Sequence, residues 1–233
     1  MATRVTWRQV FARRVARHAF ASPVPLQRLV EQVGVMCGAH AQVASAAELS
    51  IGVRVHDAVA GDVRAALWEE RTLVKAFGPR GTVHLLPTHE LAMWIGAMSA
   101  VPAPRTSLPN DLKLSADQVE AIVDAIAGAL FDAELTVDEL TDEIVARTGA
   151  WAGELVMPAF QGMWPRWRLA MQAAGHRGAL CFGFPRGRQV TYTSPRRWGG
   201  EFTPLDGPEA LAWLVHRYLG AMARRRRRGS PAG

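Results

Sequence analysis

Apolar residues in the first 100 positions recur every three to four residues, a spacing typical of amphipathic helices. Two short apolar runs near position 80 have instead the length and composition of β-strands. The Gly78-Pro79-Arg80-Gly81 link between them has the composition of a hairpin turn. The elements predicted for this part, in order, are helices over 6–20, 25–37, 45–56 and 62–71, strands over 72–77 and 82–86, and a helix over 88–100.

The second half of the chain repeats this order. Ser115 with Gln118, and Thr136 with Glu139, have the spacing of capping boxes and predict two helix starts. A third helix is predicted over 154–174, broken or kinked by its two prolines. The remaining predicted elements are strands over 179–182 and 189–193, a turn over 183–187 and a last helix over 208–221.

The repeated order of helices followed by a hairpin predicts an α+β fold, mostly α, built from tandem winged-helix units. Each unit would combine a helix-turn-helix with a β-hairpin wing. The predicted boundaries are a first unit over 1–100, a proline-rich linker over 101–112, a second unit over 113–222 and a disordered arginine-rich tail over 223–233.

The charge of the chain is concentrated in that tail. The 233 residues carry a net charge of +6, and Arg224 to Arg228 supply five of these charges, so the rest of the chain is almost balanced. A surface for nucleic acid must therefore come from local clustering of arginines. The two cysteines, Cys37 and Cys181, are far apart in apolar surroundings and are expected to be reduced. No cofactor and no metal site is predicted, and we expect a cytoplasmic, nucleoid-associated protein.

Candidate chemistry lies in the link between the second and third predicted helices, where His40 and Gln42 are spaced i, i+2. In an extended segment two such side chains point the same way. An imidazole and an amide can together hold one water molecule by accepting and donating hydrogen bonds. The alternative is that both side chains merely cap helix ends or satisfy local backbone groups. Ser45 and Glu48, just beyond the link, have capping-box spacing and predict the start of the third helix.

Several stretches resemble the winged-helix DNA-binding proteins related to the AlkZ and YcaQ DNA glycosylases. They are residues 6–9, 38–43, 67–71, 78–85 and 180–183. The resemblance implies excision of N-alkylated purines and, in some members, unhooking of interstrand crosslinks. It also implies a catalytic Gln-x-Gln pair, which in this chain takes the His-x-Gln form at His40 and Gln42. Family members resemble this chain only as far as about Gly220 and carry a third unit, so a truncation or frame change is expected.

The partner implied by this resemblance is double-stranded DNA, alkylated or crosslinked, bound by a monomer that has no membrane segment. Arg80 and Arg186 lie at the two turn tips without an acidic neighbour in sequence, so we expect them in solvent or on DNA phosphate. Thr82, His84 and Arg71 complete the predicted DNA-binding set.

Two functions of different class are compatible with the sequence. One is a monofunctional alkylpurine DNA glycosylase that uses a water held by His40 and Gln42. The other is a non-catalytic winged-helix DNA binder, such as a transcriptional regulator, which has no need of that pair. An inactive fragment is a third possibility.

Overall fold

A computed structural model of the chain describes residues 6–102, 109, 112–159 and 162–222. The predicted tail and most of the predicted linker lie outside these residues. The described helices are α1 (Trp7–Arg17), α2 (Leu29–Val35), α3 (Ala44–Gly52), α4 (Ala60–Arg64), α5 (Leu91–Ser99), α6 (Ala116–Leu130), α7 (Val137–Thr148), α8 (Met171–His176), α9 (Pro195–Gly199) and α10 (Gly207–Met222). The strands are β1 (Ala39–His40), β2 (Leu73–Phe77), β3 (Val83–Pro87), β4 (Glu134–Thr136), β5 (Leu155–Ala159), β6 (Gly162–Pro165), β7 (Cys181–Phe182) and β8 (Thr191–Thr193).

The same small sheet occurs once in each half of the chain. The first has the strand order β1-β3-β2 and the second β4-β8-β7, and both are antiparallel. In each sheet a short strand just before a helix pairs with the second strand of a hairpin. Helix α2 or α6 precedes that short strand, and helix α3 or α7 follows it. This is a winged-helix arrangement, and it confirms the predicted α+β fold of tandem winged-helix units.

The predicted helix over 154–174 is wrong. Strands β5 and β6 pair there as a separate two-stranded hairpin, and only Met171–His176 is α-helical. Pro158 and Pro165 explain the difference, because proline lacks the N–H that a helix interior needs but is tolerated at the edge of a sheet. Both strands of a two-stranded sheet are edges, so the two prolines are compatible with this hairpin. Among the described residues, the hairpin has no counterpart in the first half.

Two of the three predicted capping boxes are confirmed. The Ser115 and Thr136 side chains accept from the backbone N–H groups of Gln118 and Glu139, at the starts of α6 and α7. The box predicted at Ser45 is wrong, since α3 already begins at Ala44 and its N-cap, Val43, has no side-chain oxygen. Glu48 pairs instead with Arg64 of α4, at 2.7 Å.

One hydrophobic core runs through both halves. Leu73 and Ile122, one from each half, are among its fully buried members. The indole of Trp198 donates to the Leu73 carbonyl across 2.9 Å, and the rings of Phe77 and Phe182 lie 5.6 Å apart. The two halves therefore stabilise each other. The predicted boundary between two units near 101–112 stays a prediction.

A buried ion pair fastens α10 to α5. Glu90, just before α5, is only 8% exposed, and its carboxylate lies 2.5 Å from the Arg217 guanidinium of α10. The Trp94 indole donates to the other oxygen of the same carboxylate, at 3.3 Å. A Cβ added at Gly34 would lie within 2.8 Å of both charged groups, so glycine at this position lets α2 lie close to the pair.

In the part of the chain that the structure describes, no helix is long and apolar enough to cross a membrane.

Candidate catalytic and DNA-binding site

His40 is placed by a sharp reversal after α2. Cys37 and Gly38 both adopt positive φ, at 59° and 88°, and turn the chain into β1. A Cβ at Gly38 would lie 2.7 Å from Leu86, so glycine permits the close approach of β1 to β3. The Ala41 N–H donates to the Val83 carbonyl at 2.7 Å and extends this pairing beyond His40. The His40 side chain is exposed at the end of the strand.

Gln42 is exposed in the bend between β1 and α3. Neither His40 nor Gln42 caps a helix, because the residues that flank the adjacent helix ends are Met36 and Val43. The capping alternative is therefore excluded for these two side chains. The Gln42 amide makes no hydrogen bond to the described residues and is available to solvent or a ligand.

His84 lies beneath His40 rather than on the surface. It is 7% exposed, although the sequence predicted it as a DNA contact. The two residues are direct partners across β1 and β3, and their rings meet edge to face with centroids 5.4 Å apart. Burial lowers the pKa of His84, and the hydrogen bond from its ring to the Thr82 carbonyl opposes this only in part. His84 thus supports the site from within.

The first wing presents Arg80 to solvent. Arg80 is exposed and adopts a positive φ of 63° at the hairpin tip. Across the described ranges it has no acidic partner. Thr82 follows on the turn, and its hydroxyl donates to the Pro79 carbonyl at 3.1 Å. Arg80 is therefore the side chain of this turn that is best placed to meet a phosphate.

The second wing differs from the prediction. Arg186 lies 2.9 Å from both carboxylate oxygens of Glu139 and also donates to the Glu134 carbonyl. Arg186 has no acidic neighbour in sequence, but the fold brings Glu139, which lies 47 positions away, to its guanidinium. A phosphate contact from Arg186 stays a prediction. Arg188, for which the sequence predicted no role, is exposed and has no acidic partner within the described chain.

Arg71 is exposed, but its guanidinium has partners from the second half. It lies 5.1 Å from the centroid of the Trp198 ring and donates to the Arg197 carbonyl at 3.3 Å. A planar guanidinium can stack on an aromatic face while its remaining N–H groups stay free. A phosphate contact from Arg71 stays a prediction, with its position now set by Trp198.

A cavity of about 250 Å³ lies near the link but on the other face of the sheet. Ala41, Lys75 and Leu85 line it. Successive strand residues point to opposite faces, so His40 and His84 face away from it. Burial lowers the pKa of Lys75, whose ammonium lies 4.9 Å from the centroid of the Phe182 ring. Any water held by His40 belongs to the exposed face.

We expect stability to fall on mild acidification because three histidines resist protonation in the folded state. Burial is the main cause of the lowered pKa of His18, His84 and His176. Above about pH 6.5 these groups are neutral in both states. Below it the unfolded chain takes up protons first, so the unfolding free energy falls by up to about 1.4 kcal/mol per pH unit for each histidine.

Urea unfolding between pH 7.5 and 5.5 tests this expectation. His176→Gln should reduce the slope of stability against pH, whereas His216→Gln, at an exposed position on α10, should leave it unchanged. Equal slopes for the parent and His176→Gln would show that burial of His176 does not oppose its protonation.

The fold and the wing surfaces together define a tandem winged-helix protein with two polar side chains displayed beside the first wing. The family model of AlkZ-like DNA glycosylases matches residues 33–224, and the chain belongs to that family. This confirms the resemblance inferred from the sequence. The His-x-Gln assignment within the family stays a prediction.

Comparisons of sequence and of structure both match a Streptomyces sahachiroi glycosylase. The chain is 30% identical over 223 residues to an interstrand DNA cross-link repair glycosylase of Streptomyces sahachiroi, covering 94% of this chain and 57% of that protein. The solved structure of the DNA glycosylase AlkZ from the same organism superposes with a TM-score of 0.79 at 28% identity, covering 95% of this chain and 58% of that one. The chain thus spans a little over half the length of the relatives it matches.

Proposed function

We propose that this chain is a DNA glycosylase that hydrolyses the N-glycosidic bond of N-alkylated purines in duplex DNA, including purines held in interstrand crosslinks. The observation that carries the proposal is the pair His40 and Gln42, exposed beside the first wing and free of any capping role. Family membership and the crosslink-repair activity named for the S. sahachiroi relative support it. The protein would act as a monomer on nucleoid DNA.

Cleavage of the N-glycosidic bond of an N7-alkylated purine needs little acid catalysis. An N7-alkylated purine is already cationic, so the electron pair of the breaking N9–C1′ bond neutralises the departing base. The rate then depends on a water placed against the C1′ carbon and on stabilisation of the positive charge that develops on the sugar. In this proposal Gln42 orients the water and His40 accepts its proton as the new C1′–O bond forms.

DNA would approach the face of the molecule that carries both the catalytic pair and the first wing. Arg80 in the first wing and Arg188 in the second supply exposed positive charge for phosphate, with Arg71 between the halves. Arg186 has a different role in this account, since its pairing with Glu139 braces the second wing against the first turn of α7.

We expect Arg80→Ala to weaken duplex binding and to lower the slope of log affinity against log salt by about 0.9, the effect of one lost phosphate contact. Arg186→Ala is the matched control, because its guanidinium is already engaged by a carboxylate. Fluorescence anisotropy over a salt series measures both. An unchanged slope for Arg80→Ala would remove the first wing from the DNA interface.

The proposed activity is tested by incubating the purified chain with methylated duplex DNA and measuring free 7-methylguanine by mass spectrometry. Release above the spontaneous rate supports the glycosylase. Binding to the duplex without release contradicts the proposal and favours the non-catalytic DNA binder. If the purified chain neither binds the duplex nor releases 7-methylguanine, a DNA function of this chain by itself is contradicted.

A further inference from the structure

The exposed ring of His40 packs against a ring on the neighbouring strand. Its partner across the sheet is His84, and directly opposite residues of an antiparallel pair project from the same face. The planes of the two rings are inclined at 82°, an edge-to-face contact. His84 is buried whereas His40 is exposed, so the inner ring forms the surface against which the outer ring packs.

The first wing in turn holds His84. The His84 Nδ1 lies 2.9 Å from the Thr82 carbonyl oxygen, and because a carbonyl can only accept, Nδ1 carries the proton. The Gly78 N–H donates to the same carbonyl at 2.9 Å. A Cβ at Gly78 would lie 2.8 Å from His84 Nδ1, so the turn and the ring fit together only with glycine at that position.

We propose that His84 is a positioning residue, which fixes the ring plane of His40 at the catalytic pair and ties that ring to the turn that carries Arg80. This inference rests on the proposed function. His84 is buried and reaches the reacting atoms only through His40. The first wing therefore has a second role besides contacting phosphate, which is to hold His84 in place beneath His40.

The test compares two substitutions that remove the same hydrogen bond. His84→Leu and His84→Phe both lose the bond to Thr82 and both fill the buried volume, but only phenylalanine restores an aromatic ring beneath His40. We expect His84→Leu to slow single-turnover purine release by about 10-fold, the scale of a small misplacement of a catalytic group. Duplex affinity should stay unchanged, and His84→Phe should recover most of the rate.

A double-mutant comparison separates positioning from general damage. In a His40→Ala background, His84→Leu should cause no further loss of rate, because the residue it positions is gone. Melting temperatures of His84→Leu and His84→Phe should be similar, since both lose the same polar contact. Rate losses that multiply in the double variant, or equal rates for His84→Leu and His84→Phe, would overturn the proposal.

A readout independent of activity completes the design. Ring ¹H–¹³C NMR signals of His40, assigned by their loss in His40→Ala, should move in His84→Leu and lie closer to the parent in His84→Phe. The exposed His216 should not respond in either variant. Unchanged His40 signals in His84→Leu would overturn the proposal. If the parent releases no purine, the proposed function fails, and these signals alone decide whether His84 orders His40.

Discussion

Replacing His40 and Gln42 with alanine, singly and together, is expected to lower the single-turnover rate of 7-methylguanine release by ~10²-fold or more, the scale of losing a group that positions a water. The two losses should not add, because both groups hold the same water. Both side chains are exposed, so each substitution should change stability by less than about 0.5–1 kcal/mol.

The control for this set is Val43→Ala, which alters an exposed side chain next to Gln42 without a polar group. It should keep the parent rate to within a few-fold. Melting temperatures and duplex affinities taken alongside separate chemistry from folding and binding. Survival of parental activity in the double variant would place the catalytic site elsewhere in the molecule.

Removing the carboxylate of Glu90 is expected to have the largest effect on stability. Glu90→Ala leaves the Arg217 guanidinium partly buried without its counter-charge and leaves the Trp94 N–H without its acceptor. Breaking a buried ion pair in this way typically costs about 3–5 kcal/mol. Urea unfolding of the parent and Glu90→Ala at pH 7.5 measures the difference.

Glu143→Ala is the matched control, because Glu143 and Arg147 form an exposed pair one helical turn apart. Its loss should cost roughly 0.3–0.5 kcal/mol. Combining Glu90→Leu with Arg217→Met should recover much of the stability lost in Glu90→Ala, since no charge is then left uncompensated. A Glu90→Ala variant as stable as the parent would show that the pair does not fasten α10 to α5.

Local signals in the sequence predicted much of the fold. The capping boxes at Ser115 and Thr136 predict the first residues of two helices correctly, because a cap depends on groups only three positions apart. The hairpin at Arg80 follows from its turn composition in the same way. The repeated order of elements then predicts the winged-helix fold, since each unit reuses the same local signals.

Features that depend on distant residues escaped prediction. Arg186 meets Glu139, 47 positions away, and no local pattern shows that contact. His84 is buried by the register of β1 against β3, which the sequence does not state. The β5–β6 hairpin was missed because short apolar runs fit a helix or a strand equally well, and only pairing decides between them.

The candidate site also combines features that are local in sequence with features that depend on the fold. His40 and Gln42 were identified from their spacing and from the family resemblance, and the stretch 38–43 that contains them is local in sequence. The support beneath them was not, because His84 reaches His40 only across the sheet. Among the described residues, Arg188 of the second wing has no acidic partner, whereas Arg186 is paired with Glu139. The sequence did not show this difference, because the pairing depends on the fold.

The most direct test of the central claim is strand cleavage by alkali after incubation of the chain with an end-labelled duplex that carries a single 7-methylguanine. Removal of the base leaves an abasic site that mild alkali cuts, so the labelled fragment in excess of that from duplex incubated without protein reports the glycosidic step. With the protein in excess over the DNA, so that each duplex is processed once, we predict that the parent forms a fragment that ends at the lesion. The His40→Ala, Gln42→Ala double variant should form no such fragment. No fragment above background from a parent that binds the duplex, or equal fragment from both proteins, would contradict the account.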